Sequence, residues 1–182
     1  MKRFQEVAIA AVIIIMIITI LSSGISANPE RGTPTPDTVT RSAAEMPAEP
    51  EPERNTRYAD IDISENDIDT LARLVWYEAR GESFEGQRAV VEVVLNRVKS
   101  EARYFPDTVQ EVVYQKTGRY WQFPPAPYLQ KAKPGEEQFN AVREAIYNEE
   151  YIVTEETVFF ATKPYNEHIT AIIGNHYFCS AG

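Results

Sequence analysis

The chain opens on an unbroken apolar run. Residues 7–21, Val7 to Leu21, contain no charge, no Gly and no Pro. With Ser22 to Ala27 the stretch reaches about 20 residues, the length that crosses a bilayer as a helix. No amphipathic stripe is visible in it, which argues against a buried helix of a globular core. Lys2 and Arg3 precede the run, so the positive-inside tendency places the N-terminus in the cytoplasm and everything after the run outside. Residues 1–27 therefore read either as a retained signal anchor or as a signal peptide, with Gly24-Ile25-Ser26 offering the small residues that a signal peptidase reads. From Asn28 to about Arg57 the apolar pattern stops. Six of the chain's 12 prolines fall here among Thr, Ala and Glu, and such a segment cannot bury enough surface to offset its ordering entropy. Residues 28–57 are expected to be a disordered linker, reaching at most about 100 Å when extended and about 30 Å as a coil.

Helical periodicity begins after Tyr58. Ser64 or Asn66 can cap a helix that starts near Asp67. Ile68, Leu71, Ala72, Val75 and Ala79 then form one stripe, with Asp69, Arg73, Tyr77 and Arg80 opposite and Gly81 as a natural stop. A second helix is predicted from about Gly86 to Lys99, its arc of Val90, Val91, Val93, Val94, Leu95 and Val98 so wide that most sides must be buried. Thr108–Tyr114 predicts a short helix, and the aromatic and Pro-rich stretch 120–127 predicts loop. Residues 136–148 predict an amphipathic helix with Phe139, Val142, Ala145 and Ile146 inward. Strands are predicted at 157–161, 169–173 and 176–179. Helices followed by a small sheet indicate an α+β domain over residues 58–182.

One polar position breaks the pattern. On a helical wheel Glu78 falls inside the apolar arc between Leu71 and Leu74, and in the last turn, where the negative end of the helix dipole disfavours an anion. Burial and the dipole both raise a carboxyl's pKa, and a carboxyl held protonated near neutral pH is what a glycosidase-type general acid requires. The wheel alone leaves two alternatives open, a side chain that snorkels to solvent or one that pairs with a neighbouring Arg. Arg80 complements the helix end, and Glu82 reads as a surface loop residue.

Charge and composition narrow the chemistry. The net charge is -9, with 18 Lys plus Arg against 27 Asp plus Glu, and no cationic cluster offers a phosphate-binding surface, so nucleic acid is excluded as a partner. The two histidines, His168 and His176, occur without a His-Glu-x-x-His motif, and neither metal nor cofactor is expected. Cys179 and His176 lie three apart on a predicted strand and point to opposite faces, a poor arrangement for a nucleophile and its base. Cys179 reads instead as a small buried apolar group.

Leu71-Ala-Arg-Leu-Val-Trp-Tyr-Glu78-Ala-Arg-Gly-Glu82, then Glu85-Gly-Gln-Arg-Ala-Val90 and Val94-Leu-Asn96-Arg97-Val98, resemble the spore-cortex-lytic, SleB/CwlJ-type family of cell-wall hydrolases. Val112-Val-Tyr114-Gln115, Gln122-Phe123 and Ile173-Gly-Asn175-His176-Tyr-Phe178 agree in order, so the resemblance covers about residues 68–179. It departs at Ala161-Thr162-Lys163-Pro164, where relatives are expected to carry an Asn-Pro.

The resemblance implies a compact lysozyme-like domain that cleaves the bond between N-acetylmuramic acid and N-acetylglucosamine in peptidoglycan. It further implies the lytic transglycosylase reaction, with Glu78 as the acid/base. Tyr114, Trp121, Gln122, Phe123 and Tyr165 are the expected substrate contacts, because sugar faces stack on rings and an amide bonds an acetamido group. Arg80, Glu82, Gln87, Asn96, Arg97 and His176 are expected to support the acid from behind, with Gln87, Asn96 and Arg97 as buried polar scaffolding. The partners are then glycan strands and, through residues 7–27, the cytoplasmic membrane. The domain is expected to act as a monomer, in wall remodelling or lysis. Two other classes stay open on the residues alone: a wall-binding module without catalysis, and an amidase acting on stem peptides.

Overall fold

The computed structural model describes residues 56–182. The expected anchor and nearly all of the expected linker lie outside the described residues, and among the described residues no helix is long and apolar enough to cross a membrane.

Ser64 starts the first helix, α1 (Glu65–Glu78), through a capping box: its hydroxyl accepts from the Asp67 amide, and the Asp67 carboxylate accepts from the Ser64 amide at 2.9 Å. Leu71, Ala72 and Val75 are fully buried along the expected stripe, and Leu74 is fully buried beside it. The helix stops at Glu78 without a left-handed glycine. Ala79 leaves the helix at φ -141, and Gly81 is not among the glycines with positive φ. Gly81 is therefore not the left-handed stop that the sequence suggested; the helix ends at Ala79, whose φ -141 and ψ 13 are neither helical nor extended.

Ser83 caps α2 (Phe84–Lys99) by accepting from the Gly86 amide. Every residue from Gly86 to Arg97 is buried, because α2 is packed by α1, α3 and α4 on some sides and by the sheet on another. That setting explains a Val-rich helix: packing on all sides offsets the modest helix propensity of β-branched residues. The short α3 (Val109–Val113) and α4 (Glu136–Tyr147) follow their predicted positions. The stretch expected to be loop over 120–127 is partly ordered. Lys116–Thr117 (β1) and Tyr120–Trp121 (β2) pair as a small hairpin, and Ala126–Lys131 forms a 3-10 helix. The hairpin depends on Gly118 at φ +61, a turn conformation that short periodicity cannot reveal.

Three antiparallel strands complete the domain: β3 (Thr157–Ala161), β4 (Ile169–Ile173) and β5 (His176–Ser180), in the order β3-β5-β4. Central β5 buries Phe178 and Cys179 completely, whereas edge strand β4 exposes Ile169 and Ile172. The pairing of β3 with β5 slips between Thr157 and Phe159, so Val158 is the extra residue of a bulge. The architecture is the expected α+β arrangement, with one large core among the helices and a smaller cluster of Ala89, Val93, Val153 and Phe178 between α2 and the sheet.

Polar side chains of α2 fasten the segment leading into β3. Glu92, fully buried, accepts from the amides of Ile152 and Val153 at 2.9 Å each, and pairs with Arg57 at 3.3 Å and Arg88 at 3.7 Å. Asn96 donates to the carbonyls of Thr154 and Thr157 and accepts from the Tyr58 hydroxyl. Arg57, between the rings of Tyr58 and Tyr151, joins the first described residues to this network.

Candidate active site

Glu78 is the last residue of α1, and no basic residue occupies that last turn. The side chain is half-buried, and its Oε1 is enclosed without a hydrogen-bond partner. Burial pushes its carboxyl up to about 7, opposed by the nearby positive charge of Arg97. Of the two alternatives left by the wheel, no ion pair of Glu78 forms among the described residues, and Oε1 turns inward while part of the side chain stays in contact with water.

Arg97 comes from α2 and is only 4% exposed. Its Nε donates to the Val158 carbonyl at 2.7 Å, the carbonyl that the β3 bulge frees from the ladder. Three rings surround the guanidinium, with Cζ 4.8 Å from the centre of Phe123, 5.2 Å from Phe105 and 5.5 Å from Phe159. Nη1 is enclosed without a partner. Burial lowers the guanidinium to about 10, while Tyr104, Tyr165 and Glu78 favour its charged form. A half-buried carboxyl and a buried guanidinium thus feel each other's charge while each keeps an unpaired atom.

The loop after Glu78 is clasped to the sheet. Glu82 accepts from the Asn175 amide at 3.0 Å and from the Asn175 side chain at 2.9 Å, and these bonds hold its carboxyl below the usual range. Gly174, at φ +55, makes the turn between β4 and β5, and a Cβ there would sit 1.9 Å from Glu82 Oε2. Glu82 is therefore not a free surface residue; it fixes the turn that leads to His176. His176 is buried among Phe160 and Phe178 with Nδ1 unpartnered. Burial lowers its pKa, and Glu82 opposes that shift.

The other sequence candidates divide by place. Trp121 and Tyr114 meet edge to face at 6.5 Å, both half-buried, with Lys116 Nζ 3.9 Å from the Trp121 ring. Gln122 donates to the Thr117 hydroxyl. Tyr165 is exposed and stacks on Phe159 at 4.4 Å. Phe123 departs from expectation: at 2% exposure it belongs to the core, under Arg97 and beside Phe160, so its ring presents no open face to a sugar. Arg80 is exposed over the Trp76 ring at 4.1 Å. Gln87 and Asn96 are buried as expected: Gln87 donates to the Glu82 carbonyl on the loop after Glu78 and bonds Glu137 and Gln138, while Asn96 bonds the start of β3; neither bonds Glu78. Sequence reasoning missed Tyr104, Phe105 and Phe159 around Arg97. The adjacent Tyr104-Phe105 pair was visible, but nothing local tied it to a residue of α2.

Among the described residues no group of three or more His, Cys, Asp or Glu is placed to hold a metal ion. Two open surface depressions run along α4, one lined by Phe84, Glu136, Glu137, Asn140, Arg143 and Glu144, the other by Arg143, Glu144, Tyr147, Asn148, Glu149 and Glu150. Glu78 lines neither.

Comparison with known proteins places these residues in context. The model of the cell wall hydrolase family matches residues 81–179, beginning just after Glu78. The spore cortex-lytic enzyme of Bacillus subtilis strain 168 is 36% identical over 124 residues, 64% of this chain and 38% of that protein. The spore cortex-lytic enzyme of Oceanobacillus iheyensis is 52% identical over 52 residues, 29% of this chain and 18% of that protein. The chain thus spans well under half the length of these relatives. Among solved structures, the catalytic domain of the Bacillus cereus SleB protein superposes with a TM-score of 0.53 at 31% identity, covering 65% of this chain and 93% of that one. The catalytic domain of the germination-specific lytic transglycosylase SleB from Bacillus anthracis gives the same score and identity, covering 64% and 96%.

Proposed function

The chain belongs to the cell wall hydrolase family, and from that premise we propose that its folded domain cleaves the glycan strands of peptidoglycan as a lytic transglycosylase. The observation that carries the proposal is Glu78: a carboxyl at the end of α1, held to about 7 by burial, with Oε1 unpaired. In its protonated form it donates to the oxygen linking N-acetylmuramic acid to N-acetylglucosamine, and the bond to the muramic anomeric carbon breaks. The resulting carboxylate takes the proton of the same muramic acid's 6-hydroxyl, whose oxygen closes on the anomeric carbon as a 1,6-anhydro ring. The proton count balances and Glu78 returns to its starting form, so one carboxyl serves both steps.

Trp121, Tyr114, Gln122 and Tyr165 are the proposed substrate contacts, with Arg80 and the clasped Glu82 and His176 supporting the loop that follows Glu78. Gln87 holds the Glu82 carbonyl of that same loop, and Asn96 acts further off, by fixing α2 against its neighbours. A wall-cleaving domain works outside the cytoplasmic membrane. Residues 1–27 are proposed to carry it there as an anchor or a cleaved signal, with residues 28–57 as the tether and residues 58–182 as the catalytic domain.

The test is mass spectrometry of muropeptides after the full chain has acted on purified sacculi, beside the Glu78→Gln variant. Anhydro-muropeptides from the wild type and none from the variant are expected. Reducing ends instead would replace transglycosylation with hydrolysis. New amine ends would point to an amidase. No product from a folded, wall-binding chain would leave a binding module.

A further inference from the structure

The charges of the domain are segregated. The chain carries a net charge of -9, yet between Glu111 and Glu136 every charged residue is positive: Lys116, Arg119, Lys131 and Lys133. All four are exposed, and among the described residues neither they nor Arg80 form an ion pair. Two of these unpaired cations close the ends of a ladder of rings beside the acid. Arg80, two residues after Glu78, lies exposed over the Trp76 ring at 4.1 Å. Trp76 meets Tyr77 edge to face at 4.8 Å, and the Tyr77 hydroxyl donates to the Tyr128 carbonyl at 3.2 Å. Lys131 Nζ then lies 5.4 Å from the centre of the Tyr128 ring, which is 54% exposed. Arg73 locks the two halves of the ladder together, donating from α1 to the carbonyls of Leu129 and Ala132 at the end of the 3-10 helix. Asp69, on the same side of α1, is held by Arg73 at 2.6 Å, so it does not neutralise Arg80 or Lys131.

Neutral sugars would use the ring faces alone; cations left unpaired on an acidic domain call for an anion. In peptidoglycan the anionic groups nearest the bond to be broken are the carboxylates of the stem peptide. That peptide hangs from the lactyl group of the same muramic acid whose anomeric bond faces Glu78. We infer that the face of α1 and the 3-10 helix running from Arg80 past Trp76, Tyr77 and Tyr128 to Lys131 binds the stem-peptide carboxylates. The rings carry the apolar parts of the peptide, and the cations at either end fix its direction. A strand that bears peptides is then preferred over a bare one, and the site selects by charge as well as by sugar. The inference rests on the glycan-cleaving reading for where the strand lies, but not on cleavage itself.

The test is a calorimetric titration of the full chain carrying Glu78→Gln, so that no turnover intervenes. Three probes share one short peptidoglycan oligomer: with its stem tetrapeptides, with every carboxylate of those peptides amidated, and with the peptides removed. An exposed ion pair is worth about 1.5- to 5-fold, so the carboxylate form should bind about 3- to 20-fold tighter than the amidated form. Salt at about 0.5 M should erase most of that difference. Lys131→Gln and Arg80→Gln, both exposed and outside the core, should each remove about 1.5- to 5-fold of it. Lys131→Gln, further from the loop after Glu78, keeps the test if Arg80→Gln does not fold. Equal affinity for the carboxylate and amidated forms, or a preference undiminished in folded Lys131→Gln, would overturn the assignment. Tighter binding of a polyglycerol phosphate through the same two cations would also overturn it, giving the face to a phosphate polymer instead. If the wild-type chain released glycan product from sacculi while the carboxylate preference was missing, this inference would fall and the catalytic reading would stand. If the preference held and no glycan product appeared, the catalytic reading would fall and the peptide-binding face would stand.

Discussion

Replacing Glu78 with Gln should make the folded domain gain stability relative to wild type as pH rises. The carboxyl is raised from 4.5 to about 7 in the fold, chiefly by burial, so the folded state binds its proton more tightly than the unfolded chain does. Below the unfolded value both states are protonated and the group contributes nothing. As pH rises through the interval the unfolded chain ionises first, and the wild type loses stability until the folded carboxyl has ionised as well. At about 1.4 kcal/mol for each tenfold change in proton affinity, the whole interval is worth about 3 kcal/mol. Between about pH 5 and about pH 8 it comes to about 2 kcal/mol, allowing for the part of the side chain that remains in water. Glutamine has no such titration. Any fixed cost of its amide beside the enclosed Oε1 position is the same at both pH values and cancels in the comparison. Urea denaturation of wild type and variant at the two pH values measures the difference directly. If the variant's stability relative to wild type were unchanged between them, to within about 0.5 kcal/mol, Glu78 would not be a carboxyl raised by burial, and the reasoning for the acid would fail with it.

Three further outcomes follow from the same geometry. Activity on sacculi should fall as pH rises through about 7, because the first step needs protonated Glu78; a pH profile of muropeptide release that stays flat to about pH 9 would contradict the assignment. Glu92→Ala should cost about 3–5 kcal/mol in denaturant titration, since it strips the partner from the buried Val153 amide and the part-buried Ile152 amide and leaves Arg57 and Arg88 without their carboxylate; a loss under about 1 kcal/mol would mean the network is no more than a surface pair. Gly174→Ala should destabilise by about 2–4 kcal/mol, from left-handed backbone strain and the displacement of Glu82 from Asn175. In the Glu82→Ala background the same change should cost only the strain, about 1–2 kcal/mol, and strict additivity of the two changes would refute the clasp.

Much of this was written locally. Helical stripes gave α1, α2 and α4 to within a few residues, the cap was narrowed to Ser64 or Asn66 and is Ser64, and the wheel placed Glu78 on the wrong face for a stability-driven Glu. Where reading failed, the cause lay in contacts distant along the chain. Glu82 looks like a loop carboxylate until Asn175, 93 residues later, is seen to bond it. Phe123 looks like a ring beside Trp121 and Gln122 on a substrate loop, yet the loop folds it into the core beneath Arg97. The hairpin at Gly118 rests on one residue with positive φ, invisible to periodicity over two-residue strands. The aromatic enclosure of Arg97 draws on α2, the segment before α3, the loop after β2, and β3, and only the bulge at Val158 turns a carbonyl toward it.

A carboxyl that must give a proton and then take one has to avoid two extremes. In water it would be ionised at neutral pH and could not donate; buried with no compensating charge, its anion would be too costly to form midway through the reaction. A direct ion pair would settle Glu78 as a carboxylate, because an opposite charge in contact lowers a carboxyl by 1–3 pK units or so. Arg97 supports the anion from a distance instead, and its place is set without reference to Glu78, by Phe105, Phe123, Phe159 and the Val158 carbonyl. Because the last turn of α1 holds no basic residue, this support comes from α2 alone. On the acid–base reading, the poise of Glu78 therefore belongs to the packing of α1 against α2 and the bulged strand. A substitution that let the guanidinium advance into contact would abolish proton donation even though every catalytic atom remained in the chain.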